Sequence, residues 1–474
     1  MNLEQLLEDK YGYRSFRTGQ KEIISEVLNG RDVLALLPTG MGKSLCYQLP
    51  GHVLPGSVLI VSPLLSLMQD QVAQLKKMGE KSVVAINSFL KAEEKEQIWQ
   101  AIGDYRFIFI SPEMLLQPQV IRRLQRITIA LVVADEAHCI SQWGFDFRPD
   151  YLRIAEVLPA LGAPQVLALT ATATKKVEQD IRHYLQLDDP VIYIHPMDRK
   201  NIAYDLKNFR DGEEKREWLL AFAETYEGPG IVYAGTRRKA EELAGILTDN
   251  GLPAAFYHGG MEQQDRIFIQ QQFQNGEINW VCSTNAFGMG IHVPNVRHVI
   301  HFQIPTAIEE FVQEVGRAGR DGLPALATLL MAPGDEKLMQ ALLIDELPTR
   351  HEIEAVASDS AGRVDLVEAG IVRETSYRVI RYWLGRMTPE QTIVQIERLA
   401  EDKLMRAASM TGLAESGKCL RAYILGYFDQ QLQEHPENCC LWCGIDYEPY
   451  PLRTTESEES ESLHWQQRLS RLLP

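Results

Sequence analysis

The sequence predicts an α/β protein of two tandem, doubly wound parallel-sheet lobes followed by a helical, cysteine-containing region. Three observations carry this. Apolar, β-rich runs alternate with amphipathic stretches from residue 20 to residue 190; a second alternating series runs from Gly230 to Phe302; and beyond residue 335 the periodicity becomes helical. Strands buried on both faces read as continuous apolar runs, which is what a parallel sheet covered by helices on both sides requires.

In chain order, the first series holds Val33–Leu37, Ser57–Val61, Phe107–Ile110, Ile129–Ala134 and Val166–Leu169. The polar, proline-marked stretches Asp188-Asp189-Pro190 and His195-Pro196-Met197-Asp198 read as a junction. The second series holds Gly230–Ala234, Trp280–Thr284 and Val296–Phe302, and Glu390–Glu401 shows the period of a helix. The expected units are therefore 1–195 and 196–340 for the two lobes, 341–450 for the helical and cysteine-bearing region, and 451–474 for an acidic tail. That tail carries Glu456, Glu458, Glu459 and Glu461, with Leu463, Trp465, Leu469 and Leu472 as a short amphipathic segment able to dock on the body or on a partner.

A chain of 474 residues exceeds what one core holds, and a hydrophobic share of 45% is ordinary for packed globular domains. No run approaches the apolar length of a membrane span, and the acidic, amphipathic start Met1–Lys10 is unlike a secretory signal, so a cytoplasmic protein is expected. A net charge of −16 excludes holding nucleic acid by bulk electrostatics; any such contact must be local. Of the 7 cysteines, Cys46, Cys139 and Cys282 are scattered and read as core residues, whereas Cys419, Cys439, Cys440 and Cys443 cluster. In a reducing compartment such a cluster suggests a metal more than a disulfide.

The chemistry starts at Pro38-Thr39-Gly40-Met41-Gly42-Lys43-Ser44, which follows the first apolar run, and at Asp135-Glu136-Ala137-His138, which closes another. A glycine-rich turn between a buried strand and a helix aims backbone N–H groups at phosphate. Lys43 then reaches the outer phosphates and Ser44 offers a hydroxyl to Mg²⁺; Asp135 orients the ion and Glu136 polarises the attacking water. The strict phosphate-loop pattern asks for glycine where Leu37 stands, so the assignment rests on the pairing of the two segments.

The loop, the DEAH run, the stretch from Thr170 to Thr174 and Gln313-Glu314-Val315-Gly316-Arg317-Ala318-Gly319-Arg320-Asp321-Gly322 resemble motifs of superfamily 2 helicases. Gln142-Trp143-Gly144-Phe145-Asp146-Phe147-Arg148, directly downstream of DEAH, resembles the aromatic-rich loop of the RecQ family of DNA helicases, as Tyr13, Phe16, Arg17 and Gln20 resemble its adenine-binding element. Ser62–Val72 and Ser111-Pro112-Glu113 match in the same order. The resemblance implies two RecA-like lobes, ATP and Mg²⁺ as cofactors, and 3′-to-5′ movement on single-stranded DNA with unwinding of duplex DNA in repair or recombination. It also implies a cytoplasmic, nucleoid-associated setting in a bacterium, and single-stranded-DNA-binding or other repair proteins as partners.

On physical grounds Tyr13 offers a ring to the base, Arg17 a planar cation and Gln20 an amide for an adenine edge. Arg317 and Arg320, three residues apart after an amphipathic stretch, can neutralise charge on the transferred phosphate. Trp143, Phe145, Phe147 and Arg148 suit stacking on unpaired bases. Ser62, Asn87, Ser88, Arg237, His258 and Thr284 sit in loops that can grip a phosphate chain without reading sequence. Thr39, Gly40, Met41, Gly42, His138, Gln313, Asp265, Gly288 and Gly290 lie in family motifs near nucleotide or lobe-lobe contacts.

RecQ proteins carry a zinc module held by four cysteines, and the resemblance implies Cys419, Cys439, Cys440 and Cys443 as ligands for a structural Zn²⁺, the alternative being a degenerate module whose thiols are only packed. Where the family has a cysteine three residues before Cys440 this chain has Glu437; Cys439 or His435 is the substitute. The residues after Cys443 are too few for the winged-helix and helical nucleic-acid-binding (HRDC) domains of longer members, while 340–415 is longer than expected. Arg373, Arg378, Arg381 and Arg386 there suit either an accessory DNA surface or an inert bracket. Two other readings stay open: an RNA helicase of the same superfamily, and a nucleotide-switched DNA-binding or annealing protein without unwinding.

Overall fold

A computed structural model describes residues 2–63, 65–87, 90–141, 149–288, 293–345, 347–358 and 363–453. The first sheet contains β1 (Val33–Leu36), β2 (Ser57–Val61), β3 (Val83–Ile86), β4 (Phe107–Ile110), β5 (Ile129–Ala134), β6 (Gln165–Thr170) and β7 (Val191–Ile194), in the order β3-β4-β2-β5-β6-β1-β7. The second contains β8 (Ile202–Asn208), β9 (Gly230–Tyr233), β10 (Ala254–Tyr257), β11 (Trp280–Ser283), β12 (His298–His301) and β13 (Ala325–Met331), in the order β10-β11-β9-β12-β13-β8. All the strand pairs are parallel.

Both faces of each sheet are covered. Leu34, Leu59, Ile108 and Val132 pack into one apolar layer, while their neighbours Val33, Val58, Phe107 and Val133 pack into the layer opposite. This is the period-two alternation of a strand expressed as two cores. Truncating a residue such as Leu59 to Ala costs about 2–5 kcal/mol through lost transfer energy and the cavity left behind.

The sequence-derived strands lie where expected, but the junction does not start at Asp188. Between its two polar stretches β7 pairs with β1, Val33 opposite Val191, as the edge of the first sheet. Its outward residues Ile192 and Ile194 are exposed, so the run lacks the continuous burial that marks the central strands. The second sheet likewise begins earlier than Gly230, with β8 pairing along β13.

The helices Asp335–Asp345, Arg350–Ser358, Glu374–Leu384 and Pro389–Glu415 follow. The last is stopped at its N-terminus by a capping box, the Thr388 hydroxyl on the Gln391 amide and the Gln391 side chain on the Thr388 amide, with Pro389 in the first turn. Arg373 is spent within this region on both Glu352 oxygens and on the carbonyls of Asp345 and Leu347, and Arg378 pairs with Glu374 at 2.8 Å. Arg386 meets Glu156 of the first lobe at 3.0 Å and lies over the Tyr382 ring, and Asp402 meets Lys176 of that lobe at 3.0 Å. Of the two sequence readings these contacts favour the bracket, whose helix Pro389–Glu415 also packs on the helix Ile308–Val315 of the second lobe.

The cysteine-bearing end is stitched to β8. Tyr204 N donates to the Cys439 carbonyl (3.2 Å) and Leu441 N to the Tyr204 carbonyl (2.9 Å), so the outer edge of the second sheet is covered.

Candidate functional site

β1 ends directly in the phosphate loop, and the helix Leu45–Gly51 begins directly after it. Gly40 (φ +85°) and Gly42 (φ +73°) take left-handed conformations, and a Cβ on Gly42 would come within 2.8 Å of the Gln20 amide nitrogen. Only glycine meets both demands. Gln20 braces the turn: its Nε2 donates to the carbonyls of Met41 (2.8 Å) and Gly42 (3.1 Å), and its Oε1 accepts the Arg17 N–H (2.9 Å). Arg17 donates to the Gly40 carbonyl. The amide expected to read an adenine edge is thus committed to the loop in this arrangement.

Asp135 and Glu136 stand at the end of β5, in the middle of the first sheet. Glu136 is a non-glycine residue with left-handed backbone (φ 50°, ψ 49°), strain of a kind stored where a side chain must be aimed. Its Oε1 lies 3.0 Å from Lys43 Nζ and its Oε2 lies 3.4 Å from His138 Nδ1. That same ring nitrogen is 2.9 Å from the Thr170 hydroxyl at the end of β6. Burial opposes the Glu136 charge, but the Lys43 ammonium, with His138 and Arg317 near, holds this carboxyl below its ordinary range. Burial and then the adjacent Glu136 push Asp135 upward, and burial pushes His138 down to about 4.

Across the gap, the helix Ile308–Val315 delivers Arg317 and Arg320. A cavity of about 370 Å³ is bounded by Tyr13, Arg17 and Gln20, by Thr39, Gly40, Gly42, Lys43 and Ser44, by Asp135 and Glu136, and by Gln313, Arg317 and Arg320 of the second lobe. Among the described residues Gln313 Nε2 is buried with no hydrogen-bond partner, and Arg317 donates to the Gly288 carbonyl. Burial, with the Arg317 and Arg199 guanidiniums nearby, pushes Arg320 down to about 9. Cations crowded around a cavity mark a place for a polyanion.

His138 is buried behind Glu136 and does not line the cavity. Met41 contributes its carbonyl to Gln20, and Asp265 lies exposed on the first turn of Gln263–Gln274 and does not line the cavity. Arg199, in the crossing between β7 and β8, donates to the Thr39 carbonyl at 3.3 Å, and no sequence pattern signalled it.

A second cavity of about 440 Å³ opens at the C-terminal ends of β9, β11 and β12, with Arg237, Gly259 and Thr284 among its walls. His258 is buried and 2.9 Å from Glu241, and Ser62 and Asn87 are buried at the ends of β2 and β3. Trp143, Phe145, Phe147, Arg148, Ser88 and Gly290 lie outside the described residues.

At the far end, one donor atom each of Cys419, His435, Cys439 and Cys443 lies within 4.8 Å of every other. His435 Nδ1 is 4.0, 3.7 and 3.8 Å from the sulfurs of Cys419, Cys439 and Cys443, and the Cys419 and Cys439 sulfurs are 3.7 Å apart. Zinc–sulfur and zinc–nitrogen bonds at tetrahedral angles place donors roughly 3.5–3.8 Å apart, so this set fits Zn²⁺. Cys440 stands outside the mutual set, with its sulfur 3.8 Å from that of Cys419.

The chain matches two family models, DEAD/DEAH box helicase over residues 17–180 and Helicase conserved C-terminal domain over residues 214–322. It is 43% identical over 99% of its length to the probable ATP-dependent DNA helicase RecS of Bacillus subtilis, covering 97% of that protein. It is 41% identical over 74% of its length to the ATP-dependent DNA helicase RecQ of Haemophilus influenzae, spanning 58% of that longer protein. In fold it is similar to Saccharomyces cerevisiae Dbp5 bound to RNA and ADP BeF3, with a TM-score of 0.58 at 18% identity over 72% of this chain and 90% of that one. Among the described residues no helix is long and apolar enough to cross a membrane. The matched segments contain the phosphate loop, Asp135 and Glu136 on one side of the cleft and Arg317 and Arg320 on the other, and the chain belongs to the RecQ family of ATP-dependent DNA helicases.

Proposed function

We propose that the chain hydrolyses ATP between its lobes and uses the cycle to move 3′ to 5′ along single-stranded DNA and part duplex DNA in repair or recombination, in the cytoplasm. The observation that carries this is the 370 Å³ cavity with the phosphate loop on one sheet and Arg317 and Arg320 on the other. In that cavity Lys43 and the loop N–H groups bind the phosphates, and Tyr13 and Arg17 flank the base. Ser44 and Asp135 are the oxygen donors suited to a hard cation, and bound Mg²⁺ would neutralise phosphate charge. Glu136, kept ionised beside Lys43, accepts a proton from the attacking water once the triphosphate draws Lys43 away.

Arg317 and Arg320 meet the charge that grows on the transferred phosphate, so the lobes close on ATP and part on its cleavage. Single-stranded DNA is assigned to the loop ends that border the second cavity, with Arg237 and Thr284 as phosphate contacts and Trp143 and Phe147 as stacking groups. Zn²⁺ is assigned to Cys419 and Cys443 with donors drawn from His435, Cys439 and Cys440; with four protein donors and no open position it would be structural.

Strand displacement from duplexes with 3′ or 5′ tails, in DNA and in RNA, with and without ATP, tests the assignment. ATP-dependent displacement confined to 3′-tailed DNA is expected. Equal activity on RNA, or binding with no displacement, overturns it.

A further inference from the structure

Arg199 lies in the crossing that leads from β7 to β8, and its guanidinium reaches both halves of the nucleotide cleft. Nη1 donates to the Thr39 carbonyl of the phosphate loop at 3.3 Å, and Nη2 donates to the carbonyls of Ala318 (3.1 Å) and Gly319 (2.7 Å). Those two carbonyls belong to the residues between Arg317 and Arg320. Asn201 adds bonds to the Gly319 and Leu323 carbonyls at 2.8 and 2.9 Å, and the Thr39 hydroxyl donates to the Gly316 carbonyl at 2.9 Å. Arg199 is absent from the wall of the 370 Å³ cavity, so it acts on the cleft without touching what the cleft holds.

The same crossing is gripped from behind. Arg421, buried in the first turn of the helix Leu420–Tyr427, donates to the Arg199 carbonyl at 3.0 Å, to the Asp198 carboxylate, to the Ile202 carbonyl and, at 3.5 Å, to the carbonyl of Cys439. One run of hydrogen bonds thus joins the cysteine cluster, the crossing, the phosphate loop and the arginine pair.

We propose that Arg199 is a positioning residue for ATP hydrolysis. It sets the distance between the phosphate loop and the segment bearing Arg317 and Arg320, and Arg421 holds it in place from the cysteine-bearing region. This rests on the ATPase reading above. A planar guanidinium can serve carbonyls on two lobes at once, whereas an ammonium is a point donor on a flexible stem. Nucleotide affinity is supplied mainly by the first lobe, so loss of Arg199 separates binding from turnover. A misplacement of about 1 Å at a reacting centre can cost about a hundredfold in rate.

The test uses the full chain with saturating single-stranded DNA. Arg199→Gln, Arg199→Lys and Asp198→Asn are compared with wild type for kcat and KM of ATP hydrolysis, and for the Kd of a fluorescent ADP analogue. The expected result is a kcat lowered at least about tenfold in Arg199→Gln and less in Arg199→Lys, with a Kd within about threefold of wild type. Asp198→Asn, which loosens Arg421 and keeps Arg199, lowers kcat by a smaller factor in the same direction. Unchanged kcat in Arg199→Gln, or a Kd that weakens by the same factor as kcat, overturns the inference. Wild type without ATP turnover overturns the ATPase reading and this inference together, whereas active wild type with unaltered variants overturns this inference alone.

Discussion

Lys43 and Glu136 form an ion pair at 3.0 Å, each with little solvent exposure, across the floor of the nucleotide cavity. In the proposed mechanism, the group that binds phosphate and the group that handles water therefore neutralise one another before nucleotide arrives. On that reading a triphosphate would compete for Lys43 and release Glu136 for chemistry, linking binding to activation through a single contact.

Lys43→Ala should abolish ATP turnover and also lower the stability of the nucleotide-free chain by about 3 kcal/mol, because the Glu136 charge stays buried without its cation. Urea unfolding of the two proteins measures this. Adding Glu136→Gln to Lys43→Ala should recover most of the lost stability and none of the activity.

Glu136→Gln alone keeps the shape and removes the proposed proton acceptor. Its kcat should fall about 10²–10⁴-fold while nucleotide Kd changes by no more than about threefold. Single-turnover hydrolysis together with equilibrium nucleotide binding separates the two quantities.

Acid should weaken the second lobe through His298, which is fully buried among Phe222, Tyr226, Trp280 and Tyr450. Burial pushes its pKa from 6.5 to about 3. Between those values the unfolded chain binds a proton that the folded chain refuses, so the stability is complete above pH 6.5 and is lost as pH falls through the window. At pH 5 the loss is about 2 kcal/mol, and His298→Phe should flatten that part of the curve of melting temperature against pH.

The helical bracket holds the first lobe through the exposed pairs Arg386–Glu156 and Lys176–Asp402. Each is worth no more than about 1 kcal/mol and is screened by salt. Arg386→Glu should lower the melting temperature slightly at low ionic strength, Glu156→Arg in the same chain should restore it, and the difference should vanish near 1 M salt.

Metal content decides among the five donors at the cysteine cluster. Wild type should carry about one zinc per chain, and Cys419→Ala and Cys443→Ala should lose it. Whichever of His435→Ala, Cys439→Ala and Cys440→Ala keeps zinc identifies the spare donor, and a metal-free wild type rejects the site.

Much of the motor was legible because its elements are local in sequence. Strands buried on both faces must be apolar throughout, and a phosphate loop must follow such a strand within a few residues, so β1, β5 and the segments after them announce themselves. Edge strands such as β7 and β10 did not, since one side of each is bare and the continuous burial signal is absent.

What the sequence alone determined is the set of chemical groups and the lobe on which each one rides: Lys43, Asp135 and Glu136 on the first, Arg317 and Arg320 on the second. Only the tertiary structure decided which carbonyls Arg199 and Arg421 satisfy, that Gln20 braces the phosphate loop, that Arg386 ties the bracket to Glu156, and that His435 joins the cysteines. The physical reason is range. Strand, turn and loop signals arise from neighbours along the chain, whereas a guanidinium's partners here are main-chain oxygens that any residue could supply, brought near only when two sheets and the region behind them pack together.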